Sequence, residues 1–227
     1  RHRERPAPGP GDRAPRDPDR GGPGACDALG EGRLPHREDY RAADRQGHSH
    51  RAKFTEGLLD NDLILQALDI QAGQTILDAG CGNGYMSKLF SAKVTASGSV
   101  VAMDPDQQFL AVLARETKGT NIITLAGDIT RPTTLRPSSI DLLYISTVIH
   151  RFSKNALQGF FRESKRLLKP NSIVAIVEIE KRETPFGPPL SSRYSPEELI
   201  GIVPLVPFNT VHVGEHFYMQ LFQNSEL

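Results

Sequence analysis

The hydrophobic pattern of the chain changes near residue 48. Beyond that point, segments in which apolar residues recur at helical spacing alternate with short, unbroken apolar runs. Unbroken apolar runs are typical of strands buried in a parallel sheet, and strands separated by helices indicate a doubly wound arrangement. The pattern therefore predicts an α/β fold built on a doubly wound, mostly parallel sheet.

This part of the chain is predicted to contain five helices and seven strands. The helices are predicted over 58–68, 85–92, 107–117 and 155–168, and from Ser195, where Ser195 and Pro196 form a typical helix start. The strands are predicted over 75–77, 100–103, 122–125, 142–145, 173–179, 210–213 and 217–222. The last two runs face each other across residues 214–216, as the strands of a hairpin do.

The first 47 residues have a different composition. They hold ten Arg, seven Pro and eight Gly but no Lys, and their apolar residues follow neither period. Such a segment buries too little apolar surface to offset its ordering entropy, so 1–47 is predicted to be a disordered Arg/Pro/Gly-rich tail, preceding a single domain at 48–227. An Arg-rich tail could contact nucleic acid or an acidic membrane; a solvated extension, or sequence foreign to the natural protein, is the favoured interpretation. Because the first Met is Met86, the chain is expected to be a fragment or to have a mis-assigned start.

The remaining 180 residues are nearly neutral, with 17 Lys and Arg against 18 Asp and Glu. This balance argues against a general polyanion-binding surface, so no nucleic-acid partner is expected. Two cysteines, Cys26 and Cys81, are too few to staple the fold, which indicates a reducing compartment. The longest apolar run, 199–208, is interrupted by Gly201 and two prolines and is too short to span a bilayer. The expected location is cytoplasmic, with no membrane span.

The stretch L-D-A-G-C-G-N-G-Y-M at 77–86 joins the first predicted strand to the following helix. At this edge of a parallel sheet, loop amides and the helix N-terminus face the ligand, and glycines let the ligand approach the backbone. The dinucleotide fingerprint G-x-G-x-x-G fits poorly, because Tyr85 stands where its third small residue is required. The pattern that the chain carries is D-x-G-x-G-x-G.

This loop and four further features, in order along the chain, resemble the class I S-adenosylmethionine (SAM)-dependent methyltransferases from about residue 50 to the C-terminus. The features are Asp104 ending the second strand, Gly127-Asp128-Ile129 after the third, D-L-L-Y at 141–144 opening the fourth, and Leu168-Lys169-Pro170 before the fifth. Asn171 and Ser172 replace two glycines that the family usually carries after this proline. The resemblance implies a Rossmann-like, seven-stranded sheet whose last strand is antiparallel.

The resemblance also implies a cofactor site for SAM. Its methionine end would lie in the glycine loop, formed by Gly80, Cys81, Gly82 and Gly84, with Asp78 near the amino group and Ser146 at the end of the fourth strand. Asp104, followed by Pro105, would hold the ribose hydroxyls, since a carboxylate accepts two hydroxyl hydrogens and repels a phosphate. Gly127, Asp128 and Ile129 would frame the adenine.

Each acidic position also has a structural interpretation. Asp78 could cap the loop amides, Asp104 could begin the next helix, and Asp128 could be a turn residue. Cys81 is most simply a small loop residue rather than a reactive thiol. The three acidic residues together, in this order, favour the cofactor site over three independent structural roles.

Methyl transfer from a sulfonium is an in-line displacement that depends mainly on proximity and alignment. His150, just beyond the fourth strand, is a candidate general base; the alternative is a loop histidine that packs on the cofactor or bonds the backbone. Tyr144 is predicted to pack inside the sheet. His48 and His50 alternate on one side of an extended segment, but no further ligands accompany them, so no metal site is predicted and 48–54 is interpreted as a lid.

The acceptor is predicted to be a small molecule. The segment after the fourth strand reads S-T-V-I at 146–149, so the N-P-P-Y type motif of amino-methylating nucleic-acid enzymes is missing, as is a Pro-Cys nucleophile. What remains resembles the quinone-biosynthesis and other small-molecule methyltransferases, with the segment 185–193 shaping the acceptor pocket. The alternatives are a non-catalytic SAM-binding protein and a NAD-dependent oxidoreductase; the sequence leaves the oligomeric state open.

Overall fold

The computed structural model describes residues 57–225. The predicted tail at 1–47 and the predicted lid at 48–54 lie outside the described residues, so both stay predictions. Within the described part of the chain, no helix is long and apolar enough to cross a membrane.

The described residues form a mixed, seven-stranded sheet. Its strands are β1 (Thr75–Ala79), β2 (Ser99–Asp104), β3 (Ile122–Ala126), β4 (Ile140–Ser146), β5 (Leu168–Ile179), β6 (Val206–Gly214) and β7 (Phe217–Gln223). They lie in the order β3-β2-β1-β4-β5-β7-β6, with β1 to β5 parallel and β7 antiparallel to both of its neighbours. The predicted fold class, including the antiparallel last strand, is confirmed.

Five helices lie in the described part of the chain. One precedes β1, and the others connect β1 to β2, β2 to β3, β4 to β5 and β5 to β6. The five are α1 (Asn61–Leu68), α2 (Tyr85–Val94), α3 (Gln107–Glu116), α4 (Lys154–Leu167) and α5 (Pro196–Ile202), with single 3-10 turns at Ile149–Arg151 and Leu190–Ser192. Ser195 caps α5 in a complete capping box with Glu198, as its sequence indicates.

Several predicted boundaries are wrong: the strands predicted at 173–179 and 210–213 begin at Leu168 and Val206, and two helix boundaries differ for local reasons. The first helix begins at Asn61 rather than at 58, because the carboxylate of Asp60 caps it by accepting from the N–H of Leu63. The fourth helix ends at Leu167, and Leu168 is already extended in β5. A helix continuing into Pro170 would clash with the preceding turn, so the chain leaves the helix before this residue.

Successive residues of the central strands point to opposite faces of the sheet. On one face, Leu77 and Leu143 belong to the apolar core that α4 and α5 cover. On the other face, Ile76 and Tyr144 belong to the core that α1 and α2 cover. Burial of each large apolar side chain stabilises the folded state by roughly 1.5–3 kcal/mol. The burial of Tyr144, whose ring meets Phe90 edge-on at 5.0 Å, confirms its predicted place inside the sheet.

Asp141 and Lys169 make an ion pair at the edge of the sheet where the parallel strands begin. Lys169 Nζ lies 2.8 and 2.9 Å from the two carboxylate oxygens of Asp141, and one of these oxygens also accepts from the N–H of Thr75 at 2.8 Å. The pair joins the starts of three neighbouring strands, β1, β4 and β5. Two of the features that carried the family resemblance are therefore structural, and they lie far from the ligand edge.

Candidate active site at the carboxyl edge of the sheet

The glycine loop follows β1 at the edge where the parallel strands end. The N–H groups of Gly80 and Cys81 both donate to the carbonyl of Met103, at 2.8 and 3.0 Å, which binds the loop to β2. Gly82 and Gly84 have φ of +53° and +73°. A Cβ on Gly84 would overlap the buried side chain of Leu113, whereas one on Gly82 would meet nothing within 4 Å. Gly84 is thus required for packing, and Gly82 presents bare backbone to open space.

Asp104 ends β2 directly beside this loop. Its Oδ2 accepts from the N–H of Gly82 at 2.9 Å, and its Oδ1 accepts from the N–H of Asp106 at 2.8 Å. The side chain is nearly buried, with 9% of the residue exposed. Each carboxylate oxygen has two lone-pair positions, so each keeps one for a further donor. Pro105 follows at the start of the turn into α3, which Asp106 caps.

Asp78 lies within β1, opposite Tyr144 of β4 and Ala102 of β2. It is 3% exposed, and its Oδ2 accepts a 2.5 Å hydrogen bond from the hydroxyl of Ser87. Burial raises the pKa of this carboxyl to about 7, with a smaller increase from Asp104, against the lowering effect of Ser87. Asp78 therefore bonds a side chain of α2 and does not cap the loop amides, and its charge is sensitive to any cation that binds nearby.

Ser146 is the last residue of β4 and carries a buried hydroxyl with no hydrogen-bond partner among residues 57–225. The hydroxyl of Tyr144, two residues earlier on the same face, also has none, although the two hydroxyls are close enough that Ser146 opposes the rise that burial causes in the pKa of Tyr144. Buried polar atoms without partners are rare in native proteins and ask for an explanation such as a bound ligand. Next to Ser146, Thr147 has φ of +55°, a strained conformation for a β-branched residue.

The residues predicted to frame adenine follow β3 at the same edge. The N–H of Gly127 donates to the carbonyl of Asp104 at 3.2 Å, which joins the two segments. Asp128 Oδ1 accepts from both the N–H and the hydroxyl of Thr130, so this carboxylate organises a turn. The side chain of Ile129 is buried in the apolar core. The turn thus engages Oδ1 of Asp128, and Oδ2 lies 3.7 Å from Nε of Arg131. The binding role of Asp128 stays a prediction.

Cys81 is a free, buried cysteine in the glycine loop. Its side chain packs with Ala102, Leu110 and Leu113. Burial and the nearby carboxylates of Asp78 and Asp104 raise the pKa of the thiol far above its ordinary value. A thiol that stays protonated is a poor nucleophile, which agrees with its interpretation as a small loop residue.

His150 lies in the 3-10 turn that follows β4 and is paired with Glu178 of β5. The distance between His150 Nδ1 and Glu178 Oε2 is 2.7 Å, and the backbone N–H of His150 donates to the other carboxylate oxygen at 3.3 Å. The carboxylate of Glu178 is 1% exposed and the imidazole 13%. Both groups stand at the ligand edge, because Ser146 pairs with Val177 in the sheet.

Arg193 holds the segment that was predicted to shape the acceptor pocket. Its buried guanidinium lies within hydrogen-bond distance of five acceptors, the carbonyls of Glu180, Arg182, Phe186 and Pro188 and the hydroxyl of Thr184, three of which share the two N–H groups of Nη1. The segment between β5 and α5 is thereby folded around one cation. Its part in binding an acceptor stays a prediction.

The described residues contain no group of three or more His, Cys, Asp or Glu side chains that could hold a metal ion. The predicted pair of His48 and His50 lies outside the described part of the chain.

Comparison with known proteins finds a family model that matches part of the chain. Residues 76–171 match the family model described as a methyltransferase domain. Over this range the chain is similar to methyltransferase domains. The matched range contains the glycine loop, Asp104, Asp128, Ser146 and His150, but it ends before Glu178.

A solved SAM-dependent methyltransferase from Aquifex aeolicus has the same fold as this chain. The two superpose with a TM-score of 0.67 at 23% identity, over 82% of this chain and 97% of that one. A similar solved structure, with a TM-score of 0.61 and 18% identity over 86% of this chain and 93% of that one, is 1,6-didemethyltoxoflavin-N1-methyltransferase from Burkholderia thailandensis, determined with S-adenosylhomocysteine bound.

Among curated proteins, an uncharacterized methyltransferase of Synechocystis is 28% identical over 133 residues, which are 58% of this chain and 59% of that protein. An uncharacterized transposon protein of Streptomyces fradiae is 30% identical over 118 residues, 51% of this chain. The chain spans about three fifths of the first relative and a third of the second.

Two residues of the site were missed at the sequence level, Glu178 and Arg193. A signal for the first was present: Glu178 stands in the otherwise apolar run I-V-A-I-V-E-I of β5. A carboxylate in a strand that is buried on both faces requires a polar partner, and His150 is the partner. No comparable signal marks Arg193, because its partners are backbone carbonyls.

Proposed function

We propose that this domain transfers a methyl group from SAM to a small-molecule acceptor. The observation that supports this most directly is the contact between Asp104 and Gly82, which places a carboxylate with spare lone pairs beside bare, open backbone. Gly82 follows β1 and Asp104 ends β2, so both lie beside the switch point of the sheet, which is between β1 and β4. Ligands of open α/β sheets bind at this position.

The residues present fit SAM better than a dinucleotide. Asp104 can accept two ribose hydroxyls, and its charge would repel a phosphate at the same place. The orphan hydroxyl of Ser146 and the buried carboxylate of Asp78 offer partners for the ammonium and carboxylate groups of the methionine end. The 1,6-didemethyltoxoflavin-N1-methyltransferase of similar fold, which binds S-adenosylhomocysteine, supports the same cofactor.

SAM, when bound, supplies a methyl group on a sulfonium, which already has a good leaving group. The chain therefore needs to bind, orient and exclude water rather than to activate the methyl group. We assign the binding of the methionine end to the loop 80–84 and that of the ribose to Asp104. Gly127, Asp128 and Ile129 are proposed to lie beside the adenine, with Asp128 using Oδ2, which lies 3.7 Å from Nε of the exposed Arg131.

Calorimetric titration with S-adenosylhomocysteine, with NAD as the control ligand, tests this function. Micromolar binding of S-adenosylhomocysteine alone is the expected result. Binding of NAD alone would replace the proposal with the oxidoreductase alternative. A protein that binds S-adenosylhomocysteine but releases none from SAM with any acceptor would be a non-catalytic SAM-binding protein.

A further inference from the structure

We propose that the outer side of α4, together with the segment between β3 and β4 that lies beside it, binds the phosphate backbone of a nucleic acid. This region, the α4 surface, carries six exposed cations: Arg131, Arg136, Arg151, Lys154, Arg162 and Lys165. The proposal goes beyond methyl transfer to a small molecule and does not depend on it.

Helix α4 buries one side and turns its cations to the other. The residues that face the sheet are Leu157, Phe160, Glu163, Ser164 and Leu167. At 3.6 residues per turn, Lys154, Arg162 and Lys165 lie within about 80° of one another around the helix axis, opposite that buried side. At 1.5 Å per residue the three positions extend over about 16 Å, so they form a row along the helix.

The segment between β3 and β4 runs along one flank of this helix. The carbonyl of Thr130 approaches Gly159 so closely that a Cβ on this glycine would lie 2.0 Å from its oxygen. Further along the segment, Nη1 of Arg166 donates to the carbonyl of Leu135 at 2.9 Å. The two exposed arginines of the segment each follow one of these contacts in the chain, so they lie beside the cations of the helix.

The acidic residues of this part of the chain are already paired. Residues 130–169 hold eight Arg and Lys but only two acidic residues. Glu163 is buried and pairs with Arg166 at 2.5 Å, and Asp141 pairs with Lys169 at the far edge of the sheet. The near-neutral balance of the domain as a whole therefore averages over a strongly basic face.

Five of the six cations have no ionic partner within the described range, 57–225. The exception is Arg131, whose Nε lies 3.7 Å from Asp128 Oδ2 and whose side chain is 81% exposed. Helix α5, which covers the same face of the sheet, has an acidic first turn, but Glu198 in it is paired with Lys181. An anion that reaches the α4 surface thus meets several unpaired cations at once.

A nucleic-acid backbone fits this surface better than a membrane or an acidic protein. Phosphates neutralised by Lys and Arg release counterions, so a row of cations suffices for binding. Four of the six cations are arginines, whose planar fork can bond two oxygens of one phosphate. The α4 surface lacks an apolar anchor for a bilayer or for a protein interface. The large exposed apolar side chains of the described residues lie on other elements: Leu63, Val112, Ile123, Ile200, Ile202 and Phe208.

The α4 surface is separate from the residues proposed to bind SAM. Helix α4 begins at the ligand edge, after the 3-10 turn that follows β4, and runs back to the edge where β5 begins. Arg162 and Lys165 therefore lie progressively further from the cleft. Their replacement is expected to leave binding of S-adenosylhomocysteine intact.

Fluorescence anisotropy with a labelled single-stranded oligouridine of about 20 nucleotides tests the proposal on the full chain. The α4 variant combines Lys154→Gln, Arg162→Gln and Lys165→Gln. The control variant removes the same charge from exposed cations of α2, of α3 and of the turn after α3, on the opposite face of the sheet, by Lys93→Gln, Arg115→Gln and Lys118→Gln. The Arg-rich residues 1–47 are present in all three proteins, so any contribution from them is the same.

We expect the affinity of the wild type to fall steeply as salt rises from about 50 to 200 mM. Each phosphate contact to a single strand contributes about −0.7 to the slope of log affinity against log salt. The α4 variant should therefore lose about 2 from the magnitude of this slope and bind at least about tenfold more weakly at about 50 mM salt. The control variant should keep its affinity within about threefold.

The absence of RNA binding by the wild type at low salt, or an equal loss in the two variants, would overturn the proposal. So would tighter binding to vesicles containing phosphatidylserine, or to poly-glutamate, with the same dependence on the α4 cations. Those results would assign the surface to a membrane or to an acidic protein. Calorimetry with S-adenosylhomocysteine should give the same affinity in all three proteins. Its loss in the α4 variant alone would assign these cations to the cofactor site, and its absence in all three would overturn only the proposed function.

Discussion

The carboxylate of Asp104 and the backbone N–H of Gly82 are joined by a hydrogen bond of 2.9 Å, which ties the end of β2 to the glycine loop. The residue proposed to hold the ribose therefore also shapes the loop proposed to hold the methionine. Because its two oxygens are engaged by backbone N–H groups, the carboxylate is held in place before a ligand arrives. Such preorganisation lowers the entropy cost of binding.

Replacement of Asp104 by Asn should weaken binding of S-adenosylhomocysteine about 10- to 100-fold. Asn keeps the size and one acceptor for Gly82 but loses the charge and half of the spare lone pairs, and hydrogen bonds to charged groups contribute roughly 1.5–3 kcal/mol. Calorimetry measures the change. The control is Glu116→Gln. Glu116 lies on α3, is half exposed and pairs with Lys88, so this variant should bind S-adenosylhomocysteine normally. Unchanged affinity in Asp104→Asn would remove the ribose assignment.

Alanine at the two glycines of the loop should separate binding from stability. Gly82→Ala adds a methyl group to open space at positive φ, which costs about 1–2 kcal/mol of folding stability and blocks the approach of a ligand. Gly84→Ala adds the same strain and also displaces buried Leu113, so its loss of stability should be clearly larger. Urea unfolding and S-adenosylhomocysteine titration of both variants check this. Equal stability of the two would contradict the packing role of Gly84.

Asp78 should make the protein less stable as the pH rises. Burial raises the pKa of this carboxyl from 3.8 to about 7, so between these values the folded chain keeps a proton that the unfolded chain has lost. The free energy of unfolding therefore falls with rising pH in this window, by roughly 3 kcal/mol between pH 5 and 7.5. Asp78→Asn should remove this slope, and Ser87→Ala, which lacks the hydroxyl that lowers the pKa, should extend it to higher pH. Urea unfolding at a series of pH values measures this dependence. If the free energy of unfolding changed with pH equally in the wild type and in Asp78→Asn, the raised pKa of Asp78 would be refuted.

Arg193→Lys should be strongly destabilising despite the retained charge. A lysine offers three donors without the planar fork, so several of the contacts of Arg193 with its five acceptors would be lost, at about 1–3 kcal/mol for each buried acceptor left unpaired. The total loss should be at least about 3 kcal/mol by urea unfolding. Arg182→Lys is the control, since its side chain is 52% exposed, and it should change stability by less than about 1 kcal/mol. A mild effect at Arg193 would mean that water satisfies these carbonyls.

Much of this architecture follows from local signals. All seven strands were predicted from apolar runs, which are clearest in the central strands because these are buried on both faces and carry few polar residues. The capping residues predict the start of α5 correctly. The glycine loop and Asp104 were predicted together, because a short connection after each strand brings them to one edge. Asn171, where the family usually has Gly, has φ of +61°. Asn tolerates this conformation better than other residues with a side chain, which explains why the turn survives the replacement.

What the sequence could not predict depends on pairing between distant segments. The contact of His150 with Glu178 joins residues 28 apart and requires the register of β4 on β5. The start of β5 at Leu168 was missed because its first residues, Lys169 to Ser172, are polar. Their extended conformation is set by pairing of Leu168 with Ile140 across the sheet.

The strand order has a consequence for how the site comes into being during folding. β1 pairs on one side with β2, which follows after a short helix, and on the other side with β4, 66 residues further along the chain. Closing so long a loop has an entropy cost that local pairings avoid, so the first three strands can associate early while their union with β4 comes late. The cleft between β1 and β4 exists only after that union. A chain divided between β3 and β4 would carry the glycine loop and Asp104 on one fragment, Ser146, His150 and Glu178 on the other, and a complete cleft on neither.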